Sequence, residues 1–181
     1  MQSPTDQEDA YFRKQDQELR QKLREELSQG AADLKQAPRD LSLAGRIQRL
    51  GFIGDKLKVF DLMPLVHIAW ADGAVSRQER EAVLGVAESR VPRSSIAFAL
   101  MESLLEERPP QNFLDESLSL LKLVAGDARG ENVVELCIKV AAASGGFMNV
   151  GNVSGEERRQ IEAIAAKLGP KALEAFHREL G

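Results

Sequence analysis

The stretch Leu65-Val66-His67-Ile68-Ala69-Trp70-Ala71-Asp72-Gly73-Ala74-Val75-Ser76-Arg77-Gln78-Glu79-Arg80-Glu81 decides the reading of this chain. It closes a run, 57–70, that is apolar nearly all round and interrupted only by Lys58, Asp61, Pro64 and His67. Such a run reads as the central, most buried helix of a bundle. Asp72-Gly73 stops it, since glycine accepts the left-handed backbone that ends helices. Ser76 then stands three residues before Glu79, the spacing of a capping box, in which the Ser oxygen accepts from the N3 amide and the Glu reaches back to the cap amide. The stretch is therefore predicted to be helix, turn, helix. If Asp61 caps the first helix, Pro64 falls at its third position, where no intrahelical N–H is lost; otherwise the helix kinks there.

Outward from this stretch, Pro, Gly and Asp/Ser punctuation cuts the chain into segments with helical rather than alternating apolar spacing. Helices are expected at about 5–29, at 40–50 with Asp40 as a possible N-cap, and at 76–90, 94–107, 112–125, 131–144, 154–168 and 170–180. Pro170 after Gly169 is the stop-then-start pattern of neighbouring helices. The fold class is all-α, a helical bundle preceded by an extended amphipathic helix. Three parts are expected: a charged helix and linker over 1–36, a connecting helix over 37–54, and a helical domain over 55–181.

The opening stretch has an echo. Ile138-Lys139-Val140-Ala141-Ala142-Ala143-Ser144-Gly145, followed by Val153-Ser154-Gly155-Glu156-Glu157-Arg158, repeats an Ala-rich helix ending at Gly and a Ser three residues before a Glu. The second copy carries Ser144-Gly145 in place of Asp72-Gly73 and inserts an apolar loop with Phe147, Met148 and Val150. The small residues would let two such helices pack closely about a pseudo-two-fold axis.

With its A-D-G-x-V-S-x-x-E core, 62–86 resembles the signature helix-turn-helix of the TerB-like family, named for a tellurite resistance protein; the weaker resemblance extends over 55–180. It implies a duplicated all-helical domain and an acidic turn linked to metal binding. It also implies a bacterial stress module, peripherally associated with membrane complexes, that binds partners and has no enzymatic activity. Asp72, Glu79 and Glu81 are accordingly the candidate ligands for a divalent cation, the one cofactor in view. Their bland reading is a turn residue and a capping-box partner.

Composition narrows the function classes. Lys and Arg number 24 against 28 Asp and Glu, a net charge of -4, which lacks the basic footprint of a nucleic-acid binder. Hydrophobic residues at 43% and charged residues at 29% are globular values. No run of about 18 apolar residues exists to span a membrane, and residues 1–9 do not read as a signal peptide. Cys137 is alone, which fits a reducing compartment. The expected setting is cytoplasmic. Cys137 lies among Val133, Val134, Leu136, Ile138 and Val140, where an apolar surrounding leaves a thiol inert, so neither it nor His67 and His177 makes a catalytic set.

Segment 5–29 is different. Its apolar residues Phe12, Leu19, Leu23 and Leu27 form one thin stripe on a charged surface, supported by acid-before-base pairs such as Asp16 with Arg20, each adding about 0.2–0.5 kcal/mol. It is expected to stand largely in solvent and to offer Tyr11, Phe12, Arg13, Leu19, Leu23 and Leu27 to a protein partner. Glu8-Asp9-Ala10-Tyr11-Phe12-Arg13 also resembles the inhibitory segment of the ATP synthase inhibitor protein. That resemblance implies, as an alternative, a regulator whose first helix inhibits an ATPase.

Overall fold

A computed structural model of the chain describes residues 4–36, 42–144 and 153–181, and every regular element among them is helical. In chain order these are α1 (Pro4–Gln36), α2 (Leu43–Arg49), a 3-10 stretch (Gly54–Leu62), α3 (Met63–Ala69), α4 (Arg77–Glu88), α5 (Ile96–Glu106), α6 (Gln111–Ser144), α7 (Gly155–Leu168) and α8 (Pro170–Leu180). The expected all-α bundle forms.

The centre is α3. Every residue from Met63 to Ala69 is buried, so this short helix has no face for water and must be covered on all sides. The 3-10 stretch, α4, α5, α6 and α7 supply that cover, and α6 is the spine against which α3, α4, α7 and α8 all pack. Pro64 sits in the first turn of α3, where its missing N–H costs no helical bond, so no kink arises. Asp61 does not cap α3; it is ion-paired with Arg90, and the 3-10 stretch hands the chain into α3 through Leu62. An aromatic knot closes the next layer: Phe52 meets Phe60 edge-on at 4.9 Å and stacks on Phe113 at 6.1 Å.

Two expected helix ends, at 29 and at 125, are overturned. The first helix runs through Gly30 to Gln36, and a Cβ at Gly30 would stand 1.7 Å from the Arg49 carbonyl oxygen. The helices expected at 112–125 and 131–144 are one, Gln111–Ser144, and a Cβ at Gly130 would lie 3.3 Å from the Ala172 Cβ. Both glycines stay helical because another element crosses them closely. The roughly 1 kcal/mol that glycine costs inside a helix is offset by that approach.

The expected separation of an arm and a connector from the core also needs correcting. Ile47, Leu50 and Phe52 from the connector, and Leu23 and Leu27 from α1, belong to the buried core. Ser42 caps α2 by accepting from the Gly45 amide at 3.2 Å; Asp40, the expected cap, lies outside the described residues.

Candidate functional site

The turn after α3 has the expected chemistry of a helix stop. Gly73 adopts φ +95°, which favours glycine, and Asp72 Oδ1 accepts from the Ala74 amide at 3.2 Å. The capping box follows: the Ser76 amide donates to Glu79 Oε2 at 2.7 Å, and the Glu79 amide donates to Ser76 Oγ at 3.2 Å. Ser154 and Glu157 make the same pair of bonds at the start of α7. Both glutamates are buried although charged side chains rarely are, Glu79 at 2% and Glu157 at 4% exposure. Burial pushes the Glu79 carboxyl above the ordinary range; its bonds to Ser76 oppose this, and the carboxylates of Asp72 and Glu157 add to it.

The three candidate cation ligands are not brought together. Asp72 closes its own turn, Glu79 is engaged by the cap, and Glu81 is exposed and ion-paired with Arg77 at 2.8 Å. Among the described residues no group of three or more His, Cys, Asp or Glu side chains is placed to hold a metal ion.

His67 is a core histidine. It is 4% exposed, its Nε2 has no hydrogen-bond partner, and burial holds its pKa below the ordinary value against a hydrogen bond with the Leu114 backbone. Cys137 is fully buried and burial pushes its thiol up, away from the reactive thiolate.

The partner-binding candidates on α1 split into two groups. Tyr11 is 59% exposed, Leu19 is 37% exposed and Arg13 is exposed; the side chain of Phe12 lies outside the described residues. Gln15 Nε2 donates to the Tyr11 hydroxyl at 2.8 Å, which places these two on one open face. Leu23 and Leu27, at 2% and 4%, are turned into the chain's own core and are not open to a partner, a correction to the expected stripe. Between the groups sits Arg20. Its guanidinium bonds Glu106 at 2.8 Å and 2.9 Å and Glu102 at 3.4 Å, both on α5, and Asp16 on its own helix at 2.7 Å. Arg24 pairs with Glu107, and the Ser103 hydroxyl donates to the Arg20 carbonyl at 3.3 Å.

No family model, curated protein or solved structure matches this chain. The open half of α1 and the Asp72 turn thus rest on their own geometry.

The ionic seam between α1 and α5 is what sequence reasoning missed. Its signal was present: Arg20 and Arg24 precede Leu23 and Leu27 by three residues each, so charge and apolar stripe share a face. Glu102, Glu106 and Glu107 crowd the end of α5, the complementary half. The apolar loop with Phe147, Met148 and Val150 lies outside the described residues. No described helix is long and apolar enough to cross a membrane.

Proposed function

We propose that the chain is a non-enzymatic, TerB-like helical binding module of a bacterial stress response, working in the cytoplasm and engaging a protein partner through the outer half of α1. The observation that carries this reading is the exposure of Tyr11, Arg13 and Leu19 on a helix whose inner half is anchored. An anchored helix presents its outer half with little further loss of conformational freedom, which lowers the entropy cost of binding. The two matching capping boxes support the duplication that the TerB-like resemblance implies. Burial of Cys137 and His67 argues against a nucleophile and base. The Asp72 turn enters as a structural stop rather than as a cation site.

The test is complementation. In a strain lacking this chain and scored for tellurite survival, the full chain should restore survival and a chain lacking residues 1–19 should not. Equal restoration by both would remove the arm from the function, and no phenotype at all would remove the stress reading.

The ATP synthase inhibitor resemblance remains a second reading, because Tyr11 and Arg13 lie on the exposed part of α1. Hydrolysis by the synthase with the 1–36 peptide added separates the two. An unchanged rate discards the inhibitor.

A further inference from the structure

Where the chain turns from α5 into α6, beside the inner half of α1, the packing leaves a small cavity. Close-packed interiors hold few voids larger than a water molecule, yet one of about 110 Å³ lies here, walled by Leu27, Leu104, Pro109, Pro110 and Phe113. Leu27, Leu104 and Phe113 are buried, so these walls are apolar and held by the packing behind them. The turn cannot sag into the space, because two consecutive prolines have φ locked by their rings. The cavity is preformed.

Its rim is polar, formed by Arg24, Glu107 and Arg108, and the charges there do not cancel. Arg24 is engaged by Glu107. Arg108 is exposed and makes no hydrogen bond or ion pair among the described residues. A spare guanidinium, whose fork matches a carboxylate or a phosphate, thus stands at the mouth of an apolar cell. The Glu107 carboxylate on the same rim repels a second negative charge, which favours a monoanion. Size limits the rest of the ligand: a dry cavity of about 150 Å³ takes a benzene ring, so this smaller one takes a body of about four carbons.

We infer that this cavity binds a short-chain aliphatic carboxylate, with its apolar body against Leu27, Leu104 and Phe113 and its carboxylate on the Arg108 guanidinium. One wall belongs to α1 and the others to α5, α6 and their turn. The ligand therefore bridges the first helix and the bundle, and by binding only the folded arrangement it stabilises the docked half of α1. The inference does not rest on the partner proposed for the outer half.

Amide NMR of the full chain titrated with 3-methylbutanoate tests it. In parallel, 3-methylbutanol supplies the body without the charge and acetate the charge without the body. The acid should give saturable shifts centred on residues 24–27 and 104–113, with a dissociation constant of about 1 mM. Each control should bind about tenfold more weakly. Arg108→Gln, a change at an exposed side chain, should bring the acid down to the level of the alcohol. Leu104→Phe should fill the cavity and abolish binding of both; where that variant does not fold, Arg108→Gln decides alone. Shifts that do not saturate, shifts centred elsewhere, equal binding of acid and alcohol, or unchanged binding by Arg108→Gln would each overturn the proposal.

Discussion

The two halves of α1 are built from nearly the same residue types and have opposite fates. From Arg20 to Gly30 the helix is buried at Leu23, Leu27 and Gly30 and tied to α5 by arginine–glutamate pairs. From Tyr11 to Leu19 every described side chain is exposed, and the described ion pairs there, Lys14 with Glu18 and Asp16 with Arg20, stay within the helix. Composition does not separate them; placement does. Leu27, which lines a small pocket with Leu104 and Phe113, and Leu23 one turn before it become core. One turn earlier on the same stripe Leu19 is 37% exposed, and Tyr11 beyond it is 59% exposed. Pairs at i,i+4 contribute only about 0.2–0.5 kcal/mol each, and short isolated helices are marginal in water. The outer half is therefore held by continuity with an anchored inner half, and a partner is what would complete it.

The sharpest break of this contrast is leucine truncation. Leu27→Ala and Leu23→Ala should each lower unfolding stability by about 2–5 kcal/mol, as buried leucines do, whereas Leu19→Ala and Tyr11→Ala should stay within about 0.5 kcal/mol. Denaturant titration reads both. Comparable losses at Leu19 and Leu27 would mean that the outer half is packed.

Glycine substitution sharpens it from the backbone side. Gly30→Ala pushes a methyl into the Arg49 carbonyl and should cost about 1–3 kcal/mol through overpacking. Gly85→Ala in α4, with nothing within 4 Å of the added carbon, should instead stabilise by about 0.4–1 kcal/mol. Thermal melts of the two variants should move in opposite directions.

A pH scan tests whether the inner half follows the core. His67 has its folded pKa held below the ordinary 6.5 by burial, so between the two values the unfolded chain binds more protons and stability rises with pH. Its contribution is complete above about 6.5 and is lost as pH falls toward the folded value. Asp115, Lys167 and Arg108 act on the ring more weakly than burial does. Glu79, raised by burial, works the other way: its stabilisation is present below its ordinary pKa and is lost as pH rises through the folded one. Wild-type melting temperature should therefore fall as pH drops below about 6.5, and His67→Gln should remove that fall. Protection of residues 20–30 should drop along with the core, while residues 11–19 stay unchanged.

The smallest expected effect is none. Calorimetric titration with calcium, magnesium or zinc should give no saturable heat, and Asp72→Ala should not alter the trace. Saturable heat abolished by Asp72→Ala would restore the turn as a second functional region.

Much of the bundle was legible in the sequence because local rules and tertiary packing agree there. The apolar run over 57–70 located the centre, although only Met63–Ala69 of it is the buried α-helix and 57–62 is 3-10 with Leu57 45% exposed; Ser76 with Glu79, like Ser154 with Glu157, marked two helix starts through bonds three residues long. The helix ends expected at 29 and 125 were misplaced for a physical reason. Gly30 and Gly130 look identical whether a helix stops or another element crosses it, and only the position of Arg49 or Ala172 distinguishes the cases. Leu23 and Leu27 were assigned to a partner because their partner surface, α5 and α6, lies about eighty residues away in sequence.

Amide hydrogen exchange resolved along α1 tests the central contrast most directly. Amides at 23–30 should be protected to a level close to that of α3, and those at 11–19 should exchange orders of magnitude faster, with the change falling near Arg20. Uniform protection from 11 to 30 would contradict the account, because it would mean that the helix is anchored along its whole length and offers no open half to a partner.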